Sequence, residues 1–294
     1  MTAALSEPAP RHHALGIVLV LCAGLLWSSA GSLVRAIEQA DPWQILFFKN
    51  VWMVAAIAAW LIVRYRGGVV AVARRGGAMT LIAGLCLVGA NAGWLFSITS
   101  TSVANTLLLQ AATPLIAALL AFAMLGERVG RATWIAMVVA LAGVGVMVGD
   151  GALDGRLFGN AMGLFAMVSF AGFAVALRAR RDADMTAALC VAGLLGALLS
   201  VVMAGDLGMT AWDHVVCFFM GTAETGLGLV LFTLGARFVP AGELVLLTLT
   251  EIFLGPLFVW LLFAEVPTPG TLAGGALVIA AIAGQAIIGF GRER

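Results

Sequence analysis

Apolar residues in this chain run in long blocks, separated by short clusters of charge, glycine and proline. Ten blocks can be read, at 14–35, 43–63, 78–98, 102–124, 132–149, 157–177, 185–204, 213–236, 240–263 and 269–290. A helix needs about 20 apolar residues to cross the hydrocarbon core of a bilayer, and the blocks are of that length. A membrane barrel would instead show short segments alternating with a period of two. The pattern therefore predicts an all-α polytopic membrane protein with ten transmembrane helices and no soluble domain between them. Arg11 ahead of an apolar run, with Ser28-Ser29-Ala30 behind it, also suits a cleaved signal peptide. The run continues to Val34, which favours a span.

Composition narrows the class. Of 294 residues, 62% are hydrophobic and 11% charged, against roughly 25% charged in an average soluble domain. A soluble globule could not cover its surface with so few ions. A net charge of +1, without basic tracts in a polar context, argues against nucleic acid as a partner. Cys22, Cys86, Cys190 and Cys217 are scattered through apolar runs and read as free thiols. With His12, His13 and His214 equally scattered, no metal site or cofactor is expected.

Charge also sets the topology. With the N-terminus cytoplasmic, ten spans return the C-terminus to the same side. The cytoplasmic segments then hold 13 of the 16 basic residues, and Arg35 and Arg156 are left outside. Shifting the count by one span destroys this bias, so the positive-inside rule supports both number and orientation. Residues 1–13 and 291–294 are then short cytoplasmic tails.

The chain also resembles itself. When Glu127 is aligned with Glu265, Asn105 falls on Glu243, Gln110 on Thr248 and Thr113 on Glu251. Polar positions inside apolar helices coincide three times. Five spans per copy is odd, so the second copy is upside down, an arrangement common among secondary transporters with midplane sites. The expected units are 14–149 and 157–290, two inverted five-helix repeats.

Three segments carry a family resemblance. TPLIAALLAFAMLGE (113–127) resembles the fourth-helix signature of the EamA family in the drug/metabolite transporter superfamily. TEIFLGPLFVWLLFAE (250–265) resembles its second copy, with Glu251 in the usual place, Ile252 where a Pro is usual, and Pro256 four residues on. LLWSSAGSLVRAI (25–37) is similar to the family's opening motif. The resemblance implies alternating access and movement of small metabolites. It also implies a cavity inside helices one to four and six to nine, with the fifth and tenth at the periphery.

Ionisable residues inside spans cost about 2.5–3.5 kcal/mol each at a helix centre, and mark candidate function. Glu251 lies near the middle of the ninth span; it either meets a cationic group or coupling proton, or bonds neighbouring helices. Glu224 lies in GTAETGLGL (221–229), where glycines permit close approach or local unwinding. Lys49, the chain's one lysine, lies about 9 Å into the second span at 1.5 Å per residue. It either snorkels to the surface or pairs with Glu251, Glu224 or a substrate carboxylate. Thr106, Gln110 and Thr113 share a face of the fourth span, as Ser28, Ser32 and Arg35 do on the first; Asn91 and Trp94 are three apart on the third. Trp27 and Trp94 neighbour polar residues and are candidate cavity walls. Pro114 and Pro256 are expected to kink their helices. Gly143, Gly145, Gly274, Gly275 and Gly284 in the last helix of each copy suit close packing or a homodimer contact.

The function expected is a secondary active transporter in a bacterial inner membrane, an exporter of a small metabolite such as an amino acid, with proton coupling open. Its partners are the substrate and membrane lipids, as a monomer or homodimer. A uniporter, exchanger or importer is the alternative, with a channel or scaffold behind it. Without a P-loop, HExxH or GxSxG motif, the chain is not expected to be an enzyme.

Overall fold

A computed structural model of the chain describes residues 10–65, 77–126, 130–153, 156–179, 186–235, 238 and 241–290. Its helices are α1 (Pro10–Ser28), α2 (Ala30–Arg35), α3 (Pro42–Tyr65), α4 (Ala78–Ser100), α5 (Val103–Ala111), α6 (Thr113–Leu125) and α7 (Arg131–Leu153). Then come α8 (Leu157–Ala179), α9 (Thr186–Met203), α10 (Ala211–Phe219), a π-helical segment (Met220–Leu227), α11 (Gly228–Gly235), α12 (Ala241–Phe263) and α13 (Pro269–Phe290). Seven stretches of 18–23 residues are long and apolar enough to span a membrane, and shorter apolar helices lie at Thr133–Gly149, Thr250–Phe263 and Pro269–Gly284. Together they fall on the ten predicted spans. Glu127 lies outside the described residues, as do the side chains of Glu243 and Thr248 and the arginines at 66, 74, 75, 128, 180, 181, 237, 292 and 294.

Three spans are interrupted, each for a legible reason. In the fourth, Pro114 has no N–H to give the Gln110 carbonyl, and the helix breaks at Ala112 into α5 and α6, with Pro114 in the first turn of the second piece. In the first, two serines turn on their own helix. Ser28 Oγ donates to the Gly24 carbonyl at 2.6 Å and Ser29 Oγ to the Leu26 carbonyl at 2.6 Å, and α1 ends there. The eighth widens to i→i+5 bonding across Met220–Leu227. Pro256, expected to kink the ninth, lies inside an unbroken α12.

The main contacts between spans have an exchange symmetry. The first span packs on the eighth and ninth, and the sixth packs on the third and fourth. The second packs on the eighth, and the seventh on the third. The second also meets the seventh, and the fifth meets the tenth. Replacing each span by the one five places away leaves this set unchanged, as two copies of a five-helix unit would pack.

The fifth and tenth spans meet through glycine. Gly143 in α7 lies against the backbone carbonyl of Gly274 in α13, and Gly274 against that of Gly143. A Cβ at either position would strike that backbone oxygen, so only glycine fits. Gly143, Gly274 and Gly275 are therefore used in close packing within the chain, the first of the two uses their sequence suits. Gly145 and Gly284 face open space.

Overpacking this contact is expected to cost about 1–3 kcal/mol. Gly143→Leu should lower the thermal unfolding midpoint of the detergent-solubilised protein, while Gly145→Leu should leave it near the parent's. Equal midpoints for the two variants would show that the glycine contact does not hold the spans together.

Candidate functional site

The interface of the second and eighth spans carries a buried pair of opposite charges. Gly221 opens it. A Cβ on Gly221 would lie 2.7 Å from the Trp52 Cβ and 2.9 Å from the Met53 nitrogen, so the two backbones approach closely here. That approach brings Lys49 of α3 to the widened turn holding Glu224. The Lys49 ammonium lies 3.7 Å from Glu224 Oε2, with side chains only 6% and 9% exposed. Lys49 thus does not snorkel to the surface; its charge is buried beside the carboxylate. The hydroxyl of Thr225, the next residue, donates to the same Oε2 at 2.5 Å.

Trp94 of α4 faces the pair, with the ammonium 5.1 Å from its ring centroid. In a desolvated setting a cation over an aromatic face gains about 2 kcal/mol or more. Glu251 of α12 is half-buried and lies within electrostatic reach of both Lys49 and Glu224. Four elements from both halves of the chain therefore converge: α3 and α4 from the first, the π-helical segment and α12 from the second.

The other candidate residues lie apart from this cluster or beside it. Trp27 packs its ring 5.3 Å from Phe232 and rests on Gly228, one turn beyond Glu224. Asn91 is half-buried one turn from Trp94. Gln110 donates to the Gly163 carbonyl at 3.2 Å and Thr113 to Gln110 Oε1 at 3.5 Å, so the fourth-span stripe faces α8. Ser28 is fully buried and donates into its own helix. Asn50, beside Lys49 in sequence, turns toward Gly196 of α9.

Sequence reasoning did not find the polar links that gather at one end of the bundle. Asp213, completely buried, accepts from the backbone N–H groups of Glu38, Gln39 and Ala40 at 2.9, 3.2 and 3.1 Å. Asn105 donates to Asn160 at 2.6 Å, and Ser97 and Thr106 share a hydrogen bond of 2.9 Å. Arg35 reaches Glu265 at 2.7 Å, joining the first span to the loop before the tenth. All pair residues far apart in the chain except Ser97 with Thr106, and no local motif announces them. At the same end a cavity of about 510 Å³ opens among Arg35, Ile45, Phe96, Thr99 and Phe158.

A bundle of apolar spans with an ion pair buried between its first and second halves defines the class of a polytopic membrane protein. Comparison with known proteins agrees. Residues 14–149 match the model of the EamA-like transporter family. The pseudopaline exporter CntI of Pseudomonas aeruginosa is 25% identical over 273 residues, covering 90% of this chain and 94% of its own length. The uncharacterized transporter YwfM of Bacillus subtilis is 25% identical over 272 residues, covering 89% and 90%. A solved crystal structure aligns with 94% of this chain and 98% of its own at a TM-score of 0.66 and 18% identity, which shows the fold. Family and relatives point to transport rather than catalysis.

Removing one partner of a buried ion pair strands the other and costs about 3–5 kcal/mol. Lys49→Met should therefore lower the unfolding midpoint sharply, and Lys49→Met with Glu224→Gln should recover most of the loss. A double variant as unstable as the sum of its single variants would show that the two charges are not coupled.

Proposed function

We propose that this protein is a secondary active transporter that exports a small zwitterionic metabolite, such as an amino acid, by alternating access. The observation that carries the reading is the Lys49–Glu224 pair: opposite charges, buried together in mid-span, under an aromatic ring and with Glu251 close by. An empty carrier must keep such charges satisfied. A zwitterion replaces the internal pair with two external ones: its carboxylate takes Lys49, and its ammonium takes Glu224 or Glu251. Trp94 and Trp27 supply apolar walls.

One lysine faces two carboxylates here, so one negative charge is left to balance. A proton balances it in the empty site and the substrate's ammonium balances it in the loaded one. This exchange supports proton coupling through Glu251. In this reading Asn91, Gln110, Thr113 and Ser28 act as supporting groups, Ser28 through the break in the first span.

The units are two inverted repeats, 14–149 and 157–290. The exchange symmetry of the packing supports them. Arginine distribution supports cytoplasmic termini in a bacterial inner membrane, which places the Arg35 end of the bundle outside. The name of one relative, an exporter, supports the direction.

Purified protein in liposomes, offered pooled labelled amino acids with and without an imposed pH gradient, tests this reading. Saturable flux is expected, reduced more than about tenfold (about 1.4 kcal/mol at 25 °C) in Lys49→Met and Glu224→Gln. In Glu251→Gln the flux should persist without dependence on the gradient. Saturable flux that ignores the gradient in the parent would make the protein a uniporter or exchanger. Flux unchanged in Lys49→Met would remove the site.

A further inference from the structure

Between the 510 Å³ cavity at the Arg35 end and the Lys49–Glu224 pair lies only a thin closure. Ile45 lines the cavity and is 2% exposed; Lys49 follows it by one turn on α3, about 6 Å deeper at 1.5 Å per residue. The closure has an apolar layer, in which Ile45, Leu46, Leu95, Ile98, Val103 and Val259 pack from four spans. Above this layer sits a polar knot centred on Arg35.

The knot uses every face of the guanidinium. Its Nε donates to Glu265 Oε2 at 2.7 Å, Nη1 to the Ile98 carbonyl at 2.9 Å and Nη2 to the Thr101 carbonyl at 2.9 Å. The second oxygen of Glu265 accepts the Val103 N–H at 2.6 Å. Each partner suits its place. The carbonyls at the end of α4 lack helical donors and attract a cation, and the first N–H of α5 lacks an acceptor and attracts an anion. The knot thus ties α2 and the α4–α5 junction, from the first half, to the α12–α13 loop of the second. Glu265 is presented by Ala264, a non-glycine residue at φ 55°, a left-handed conformation that alanine adopts at a cost.

We infer that Arg35 and Glu265 form the latch of the outer gate, and that the structure holds the transporter closed on that side. The inference rests on the transporter reading above and deepens it. The bonds of the latch cross between halves, so opening a path from the cavity to Lys49 requires breaking them. The side chains are 23% and 22% exposed, so water can take over their hydrogen bonds when the latch parts. A fully buried pair could not part this way. The apolar layer beneath contains no bond to break and separates once the latch is released.

The test measures geometry and needs no substrate. Spin labels on Ser100→Cys and Val266→Cys, both exposed, report the distance between the α4 end and the α12–α13 loop in a chain whose four native cysteines are replaced. The parent, in liposomes, is expected to show one short distance. Glu265→Gln keeps an acceptor for Val103 but loses the charge. It should add a population longer by about one helical turn, about 5 Å, as should Arg35→Gln. The double variant should populate it no more than the stronger single one. If Arg35→Gln does not fold, Arg35→Lys, which keeps the charge and loses the fork, replaces it and should show a smaller longer-distance population. Distances unchanged from the parent in folded Glu265→Gln, or additive effects in the double variant, would overturn the latch. The parent's flux assay decides the transporter reading separately.

Discussion

A lysine ammonium in the middle of a membrane bundle has no water to turn to. Its burial must be answered by something inside the protein. Much of the arrangement around Lys49 follows from that requirement. The carboxylate of Glu224 has to come within ion-pair distance, so the eighth span must lie almost on the backbone of the second. Glycine at 221 allows that approach. The Trp94 ring closes the third side. The mirrored interface, between the seventh and third spans, has the same close approach at Gly84 but meets Val191 and Ala192 there. The main contacts between spans repeat under exchange of the halves, and the buried charge pair does not.

The ten spans were legible in the sequence because hydrocarbon thickness sets the length of an apolar run, and that rule operates locally. The break at Pro114 was legible for the same reason: a missing N–H is a property of one residue. Pro256 does not end its helix, which continues through it. The glycines of the eighth span marked close approach or unwinding, and the structure has both, as a wide turn. The sequence left Lys49 either at the surface or paired with Glu224, Glu251 or a substrate, and helix rotation made the choice. Small residues in the fifth and tenth spans signalled packing but not with whom; their contact proves to be internal.

What the sequence did not disclose is concentrated at one end of the bundle. Arg35, Asp213 and Asn160 each bond to residues or backbone groups more than 50 positions away along the chain. Asp213 satisfies three consecutive N–H groups of a loop, and Arg35 satisfies two orphan carbonyls at a helix end. Such bonds follow from the rule that backbone groups away from water find partners. The rule says that a partner exists, and only the three-dimensional arrangement says which. Charge counting placed Arg35 on the outer side without joining it to Glu265.

The wide turn at Met220–Leu227 has one more consequence. It acts as a dislocation in the helical lattice: α10 and α11 are each regular, but out of phase with one another across it. A stripe of residues traced up α10 does not continue along α11; it rotates around the axis at the defect. The face of α10 that meets α3 and the face of α11 that meets the first span are therefore set independently. One span can address two neighbours, with the carboxylate at the seam between them. Such a defect stores an adjustable offset in the middle of a rigid rod, and in this protein the offset falls where the charge is.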